Sequence, residues 1–305
     1  MFSKNIQIIL VYALICLIWG STWLAIKIGL ESLTPFLSAG LRFVTASAII
    51  LLILKFSGIE IRKDKLSIQL YLMMAFVSFV FPYGLVYWAE QFIPSGLASV
   101  LFAIEPFFIV LFSYFLISSE KIGIFKLTGT VLGFLGILII FSDALNLDFS
   151  SYSLGISAIV LSAILQAINA VLIKKYGRHL HPISMNFIPM LIAGITLFIL
   201  GFLVEDMTKI NFNSNALFSI LYLAIFGSIV TFTSYYWLLK RINIVILSLI
   251  SFIIPIIALI LGWIFYNEEL SFNELTGSLF VLFGLLFANL GNVIKLNKLR
   301  RKTAV

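Results

Sequence analysis

The sequence predicts an all-α integral membrane protein with ten transmembrane helices. Of its 305 residues, 62% are hydrophobic and 11% are charged, whereas soluble globular domains have roughly 45 to 50% and about 25%. Apolar stretches of about 20 residues recur along the whole chain, and each is long enough to cross a hydrocarbon core of roughly 30 Å. The charged residues lie mostly in short gaps between these stretches. A water-soluble fold is therefore excluded.

Helix-start signals mark several of the predicted spans. Thr34 precedes Pro35, which fits the first position of a helix, and Ser271 with Glu274 forms a capping box. The connections are short, so we expect neighbouring helices to be antiparallel. The ten predicted spans are 7–28, 34–55, 67–89, 94–117, 122–141, 153–174, 183–204, 215–238, 243–266 and 273–294.

The positions of lysine and arginine predict the orientation. These residues accumulate in cytoplasmic loops, and with both termini cytoplasmic all but three of the 20 fall on the inner side. The exceptions are Lys27, Arg42 and Lys209. This distribution supports ten crossings. It also argues against nucleic acid as a partner, because no soluble domain presents the basic residues as a groove.

The second half repeats the first at an offset of 147 to 149 residues. We therefore predict two five-helix repeats, residues 1–145 and 146–305, the second with a short basic cytoplasmic tail. Five is odd, so the repeats enter the membrane from opposite sides, an architecture suited to alternating access. The matched positions are Pro35 and Pro182, Tyr87-Trp88 and Tyr236-Trp237, Pro106 and Pro255, Leu127-Thr128-Gly129 and Leu275-Thr276-Gly277, and Gly136 and Gly284.

Motifs in this duplicated frame resemble the EamA-type branch of the drug/metabolite transporter superfamily. They are Trp19-Gly20-Ser21-Thr22-Trp23 with Lys27, Leu41-Arg42-Phe43, Glu105-Pro106, Ser119-Glu120 with Gly129 and Gly133, and then Pro255, Glu268-Glu269, Gly277 and Gly284. The resemblance covers essentially the whole chain. It implies a ten-helix carrier of the bacterial cytoplasmic membrane with a central cavity, in a group whose members often export amino acids.

Charged residues inside the predicted spans are the first functional candidates, because each costs several kcal/mol unless it faces a cavity or a partner. Glu105 lies about 16 Å past Pro94, near the bilayer midplane, and is either a proton-coupling carboxylate or a structural partner of Arg42. Arg42 could instead bind a substrate carboxylate or phosphate with two hydrogen bonds. Lys27 either has a gating role or extends to the membrane interface.

Polar and aromatic stripes supply the remaining candidates. The predicted substrate-binding residues are Trp19, Ser21, Thr22, Trp23, Arg42, Tyr87, Gln166, Asn169 and Tyr235. Ordinary packing and hydrogen bonds between helices are the alternative interpretation of the same stripes. Pro106 and Pro255 should kink their helices or free backbone carbonyls, so with Glu105 and Lys27 they are the candidates for coupling or gating.

The predicted function is secondary transport, namely export of a small amphipathic metabolite such as an amino acid by alternating access around a central cavity. The expected partners are the solute, membrane lipid and a proton as candidate coupling ion, in a monomer or homodimer. No cofactor or metal is expected, since Cys16 is the only cysteine and His179 and His181 lie in a basic loop. The alternatives are a membrane-embedded enzyme acting on a lipid-linked substrate and a non-catalytic membrane subunit.

Overall fold

The structure, a computed structural model, describes residues 4–116, 124–145, 151–239, 241 and 250–303, and the regular elements in these ranges are helices. Two segments are π-helix, π1 (Met74–Val80) and π2 (Ile225–Val230), and a 3-10 turn covers Met207–Lys209. The α-helices are α1 (Lys4–Leu30), α2 (Pro35–Ser57), α3 (Lys65–Met73), α4 (Phe81–Ala89), α5 (Ser95–Phe102), α6 (Glu105–Leu116), α7 (Ile124–Leu145), α8 (Ser151–Tyr176), α9 (Pro182–Val204), α10 (Ser214–Ala224), α11 (Thr231–Leu239), α12 (Ile250–Tyr266) and α13 (Phe272–Thr303).

Within the described residues, seven helical segments are long and apolar enough to cross a membrane, so the chain is a multi-pass membrane protein. They are Ile6–Leu30, Pro35–Ser57, Lys65–Ala89, Ser95–Leu116, Ser151–Tyr176, Pro182–Val204 and Ser214–Tyr235. Shorter apolar helices, Leu127–Ile140, Ile253–Tyr266 and Phe272–Ala288, lie where the other three spans are predicted. Ser119-Glu120 and residues 243–249 of the ninth predicted span lie outside the described residues.

The helix-start signals read from the sequence match the structure closely. The capping box forms as predicted, since the Glu274 carboxylate accepts from the Ser271 N–H at 2.7 Å and the Glu274 N–H donates to the Ser271 hydroxyl at 3.0 Å. Helix α2 begins at Pro35, although the Thr34 side chain makes no capping bond. The last helix continues to Thr303, beyond the predicted end at 294.

The fourth predicted span is interrupted, as its proline indicated. Helix α5 ends at Phe102 and α6 begins at Glu105, so Pro106 occupies the second position of α6. Proline has no N–H with which to serve the carbonyl of Phe102 four residues earlier, and it fits best in a first helical turn. Pro255, its counterpart, lies inside α12, which remains continuous from Ile250 to Tyr266.

The third and eighth predicted spans each contain a π-helical segment that the sequence did not predict. In π1 the cause is visible, because Pro82 lacks the N–H that would serve the carbonyl of Ser78 in an α-helix. The Gln166 side chain on α8 donates to that carbonyl at 2.8 Å and accepts from the Ser78 hydroxyl at 2.9 Å. A helix from the second half of the chain thus satisfies a widened segment in the first.

Helices α7 and α13 pack backbone to backbone through four glycines. A Cβ atom on Gly136 would lie 2.5 Å from the Gly277 carbonyl oxygen, and one on Gly277 would lie 2.5 Å from that of Gly136. Gly129 and Gly284 oppose each other in the same way. Small residues at such contacts allow close helix approach in membranes. The contact is reciprocal. Gly129 faces Gly284, the repeat counterpart of Gly136, and Gly136 faces Gly277, the repeat counterpart of Gly129.

We predict that Gly136→Ala lowers the free energy of unfolding by about 1 to 3 kcal/mol, because the new methyl group forces the two backbones apart. Equilibrium unfolding in mixed micelles measures the change. Gly84→Ala is the matched control, since a Cβ there would meet its nearest neighbour, Leu197, at an ordinary 3.5 Å. Equal losses in the two variants would contradict the close contact.

Candidate functional site

Arg42 is the charged group at the centre of the site, and its side chain is only 2% exposed. Its Nε–H donates to the Ser228 hydroxyl at 3.1 Å, and its Nη2 group donates to the Gly227 carbonyl at 3.2 Å. Its Nη1 group donates to the Tyr87 hydroxyl at 3.4 Å, and the guanidinium lies 4.9 Å from the centre of the Tyr83 ring. The guanidinium is therefore bound by neutral groups and an aromatic face.

The π2 segment is shaped to receive this arginine. The Ser228 hydroxyl accepts from Arg42 and donates to the carbonyl of Leu223 five residues earlier, at 2.9 Å. At Gly227 a Cβ atom would lie 2.9 Å from Thr22 and 3.4 Å from the Arg42 Nη2 atom. A larger residue at Gly227 would therefore crowd the arginine. In π2 the Gly227 carbonyl, which also accepts from a threonine hydroxyl one turn later at 2.9 Å, lies beside the Ser228 hydroxyl.

No ion pair joins Arg42 to Glu105, although their depths along the membrane normal would permit one. In the part of the chain that the structure describes, the arginine has no carboxylate within 4.0 Å. No described carboxylate is in contact with this buried charge, an arrangement that costs several kcal/mol unless another anion binds. The site therefore favours an anionic group.

Glu105 lies beside the break between α5 and α6, as the first residue of α6. Its side chain is half-buried, and among the described residues no donor forms a hydrogen bond with its carboxylate. A carboxylate at a helix N-terminus is stabilised by the helix dipole. Glu105 is thus held at a helix start but remains available to a proton or a solute.

An aromatic cluster, made of Trp19, Phe79, Tyr83, Phe232 and Tyr235, lies next to Arg42 and joins the two halves of the chain. The Trp19 ring lies 5.7 Å from that of Phe232 and 5.5 Å from that of Tyr235. Phe79 is 6.0 Å from both Phe232 and Tyr83. Most of these rings are half-buried, so the cluster presents flat apolar faces beside a cation.

The remaining candidates on α1 are held in place locally. Trp23 is buried and packs on Phe102 at 5.5 Å, at the end of α5. The Ser21 hydroxyl donates to the Ile18 carbonyl at 2.8 Å and lies 2.6 Å from the Tyr222 hydroxyl. The Thr22 hydroxyl donates to the Trp19 carbonyl at 2.7 Å. These bonds fix the face of α1 that meets the second half.

The polar side chains along α8, Ser162, Gln166 and Asn169, differ in their hydrogen bonding. The Ser162 hydroxyl donates to the Pro82 carbonyl at 3.1 Å, and Gln166 is bound to Ser78, so both make bonds between helices. The Asn169 amide oxygen is buried and has no hydrogen-bond partner among the described residues. Asn169 is therefore the residue of this stripe that retains an unused acceptor.

The two ends of the molecule differ in charge. We call the end with the connections 58–64 and 177–181 the basic end; its cations are Lys55, Arg62, Lys63, Lys65, Lys174, Lys175 and Arg178. There Ser67 bridges Asp64 at 2.6 Å and His179 at 3.0 Å, and hydrogen bonds from Ser67 lower the pKa of Asp64. The opposite end, with the connections 31–34, 90–94, 205–213 and 267–271, we call the carboxylate end; its acidic residues are Glu31, Glu90, Glu205, Asp206, Glu268 and Glu269.

Cross-connections close the carboxylate end. The Lys27 ammonium points into the protein and donates to the carbonyls of Glu90 at 2.7 Å and Ile93 at 3.2 Å, so it does not extend to the interface. Glu205 accepts from the first N–H groups of α2, and Tyr266 bonds Glu31. Glu205 and Tyr266 thereby tie connections and helices of the two halves together, whereas Lys27 acts within the first half.

A cavity of about 260 Å³ lies between α2, α9 and the π2–α11 segment. Its lining includes Ile229, which follows Ser228 in the sequence, and it lies in the half of the molecule nearer the basic end. Its lining residues are Ile50, Ile53, Ile183, Asn186, Ile229, Val230, Thr233 and Ser234. Open space thus lies toward the basic end, whereas hydrogen bonds join the connections of the carboxylate end to neighbouring helices.

Comparison with known proteins identifies the family. The sequence pattern of the EamA-like transporter family matches residues 6–142 and again residues 153–290. The chain belongs to this family. The resemblance read from the motifs is therefore confirmed, and membership indicates a transporter with a small-molecule solute in a membrane, rather than an enzyme.

Bacterial relatives agree with this assignment. YoaV of Bacillus subtilis, named as an uncharacterized transporter, is 28% identical over 272 residues, which cover 89% of this chain and 92% of that protein. YedA of Escherichia coli K12, named as an uncharacterized inner membrane transporter, is 29% identical over 91% of this chain and 89% of its own length. A known crystal structure shares the fold over 92% of this chain and 97% of its own, with a TM-score of 0.67 and 18% identity.

Of the predicted substrate-binding residues, Arg42 contacts Tyr87 and Trp19 contacts Tyr235, and their role in binding stays a prediction. Phe79, Phe102, Phe232 and Gly227 were missed, since phenylalanine and glycine are common in every membrane helix. The signal for Tyr83 was its spacing of four from Tyr87, which puts both on one helix face.

We predict that Gln166→Leu lowers the free energy of unfolding by about 1 to 2 kcal/mol, because it leaves the carbonyl and hydroxyl of Ser78 without partners in a water-poor interior. Unfolding in mixed micelles measures the loss. Gln69→Leu, at an exposed glutamine, is the control and should leave stability nearly unchanged. If both variants unfold alike, Gln166 does not support π1.

Proposed function

We propose that the protein is a secondary transporter of the bacterial cytoplasmic membrane that exports a small amphipathic metabolite carrying a carboxylate, such as an amino acid. One observation carries the proposal: the Arg42 cation is buried, lacks a described counter-charge and adjoins an aromatic cluster built from both halves. A solute with an anionic group and an apolar body complements both features.

In the proposed mechanism, the solute enters from the basic end through the cavity whose lining includes Ile229 and Asn186. Its carboxylate competes with Ser228 and Tyr87 for the Arg42 guanidinium, which can present two parallel donors to a carboxylate. Its apolar part packs on the half-buried rings of Trp19, Phe232 and Tyr235. Both termini are proposed to be cytoplasmic, so that loading from the basic end corresponds to export.

The proposed conformational cycle is a rocking of the two five-helix halves about this site. The break before Glu105 and the prolines Pro106 and Pro255 supply points where a helix can bend without losing further backbone bonds. Glu105, beside the break and without a described hydrogen-bond donor, is proposed to bind a proton in one orientation and release it in the other. Solute export would then be driven by proton entry.

Counterflow in proteoliposomes tests the solute class. We expect labelled amino acids to exchange and the matched amines, which lack the carboxylate, to exchange at least tenfold less. Arg42→Gln should abolish exchange, and Arg42→Lys should reduce it about tenfold or more because a lysine cannot bind a carboxylate with two parallel donors. Arg62→Gln, at an exposed arginine of the basic end, is the control. Equal exchange of amines and amino acids would contradict the proposal.

A second measurement tests the coupling group. In vesicles with an imposed pH gradient, Glu105→Gln should lose uphill transport and retain counterflow, because the amide cannot carry the proton. Glu60→Gln, at an exposed carboxylate of the basic end, should retain both activities. Uphill transport that persists in Glu105→Gln would remove Glu105 from the coupling mechanism.

A further inference from the structure

Glu90 is a buried acidic residue to which the proposed cycle gives no role. It follows α4 directly, in the connection 90–94 at the carboxylate end. Its side chain is 0% exposed, and both carboxyl oxygens are buried without a hydrogen-bond partner among the described residues. An ionised carboxylate in such surroundings costs several kcal/mol. Glu90 is therefore an unpartnered buried acid at this end.

The surroundings of Glu90 do not neutralise it by an ion pair. The nearby Lys27 ammonium is bound to the backbone carbonyls of Glu90 and Ile93 and does not lie within 4.0 Å of the carboxyl group. Arg42 also faces Glu90 but is bound to Ser228, Gly227 and Tyr87. The two cations are thus engaged by other groups.

A second carboxylate lies on the other side of the same connection. Glu268 accepts from the Ser95 N–H at 2.7 Å, the Ser95 hydroxyl at 3.0 Å and the Gly96 N–H at 3.0 Å. It therefore holds the first turn of α5 as an anion, and it acts electrostatically on Glu90. The connection 90–94 is held by Lys27 from the first half and, at its α5 end, by Glu268 from the second.

The described charged groups near Glu90 act on its carboxyl in opposing directions. Burial and the Glu268 charge raise the pKa of the Glu90 carboxyl, whereas Lys27 and Arg42 act in the opposite direction. The Tyr87 hydroxyl on α4 also faces it. Helix α8 packs on this turn through Gly155 and carries Lys174 and Lys175 at its distant basic end.

We infer that the Glu90 carboxyl is a proton-binding site that controls the carboxylate end: it carries a proton while this end is closed and releases it when the end opens. An ionised Glu90 would repel the Glu268 anion and so weaken the hydrogen bonds that hold the first turn of α5. Water entering an opened end would solvate the Glu90 charge. The inference rests on the proposed transport cycle, in which one end of the molecule opens and then the other. It requires no particular solute.

The sign of the pH dependence follows from proton linkage. The closed form holds the proton more tightly than an open, hydrated form, so low pH favours closure and rising pH favours opening. The response extends from the ordinary carboxyl pKa of about 4.3 up to the raised pKa of the closed form. Within that window the ratio of open to closed molecules rises by up to tenfold per pH unit.

Spin-label distances across the carboxylate end test the site. Labels on cysteines introduced at Gln91 and Glu269, both exposed, are measured by pulsed electron resonance in the full-length protein with Cys16→Ser, in lipid nanodiscs without solute. We expect a longer distance to gain population between pH 5 and pH 9. Glu90→Gln, which imitates the protonated acid, should keep the short distance throughout, and Glu60→Gln, at an exposed carboxylate, should respond like the parent.

A pH response retained by Glu90→Gln, or no response in the parent protein, would overturn the inference. If Glu90→Gln does not fold, Glu90→Asp decides: a response with a shifted midpoint supports the site, and an unchanged midpoint overturns it. The readout is conformational, so an inactive solute panel in the counterflow assay would defeat the proposed solute and leave this result intact.

Discussion

The structure depends on one constraint: a backbone carbonyl released inside hydrocarbon must find a donor within the protein. The segments π1 and π2 and the prolines Pro82 and Pro106 release such carbonyls at the core of this protein. Arg42 serves Gly227 in π2, and Gln166 serves Ser78 in π1. In both cases a donor comes from the half of the chain that does not contain the π-segment, and at Gly227 the Thr231 hydroxyl of the same half donates as well. The halves are therefore joined by hydrogen bonds in which a side chain of one half donates to a backbone carbonyl in a helix of the other.

The Arg42–Gly227 and Gln166–Ser78 bonds differ chemically. This difference separates Arg42, a candidate binding residue, from Gln166, which supports a helix. Gln166 is neutral and uses its amide oxygen and its amide nitrogen on Ser78. Arg42 brings a full charge, and the groups that hold it are all neutral. A nearly symmetric frame thus acquires a one-sided site. This agrees with the sequence, in which Pro189 takes the position of Arg42 and Ile254 that of Glu105 in the second half.

Hydropathy, prolines and capping motifs allowed most of the helices to be predicted, because each acts through nearby residues. The Ser271–Glu274 box and the break before Glu105 are examples. The π-segments have no comparable periodic signal. The partner of Arg42 could not be predicted because Ser228 lies 186 residues away. Counting residues gives the depth of a side chain, but not its rotation about the helix axis, and rotation directs Arg42 to Ser228 instead of Glu105.

The reciprocal glycine contact between α7 and α13 has a consequence for the origin of the chain. Gly129 meets Gly284 and Gly136 meets Gly277, which is the pattern of an isologous interface between two identical subunits. Two separate half-length chains, inserted in opposite orientations, could form the same contact as a dimer. Joining them in one polypeptide would make the partner's concentration irrelevant to assembly. It would also free each copy to diverge, so that one kept the arginine and the other did not.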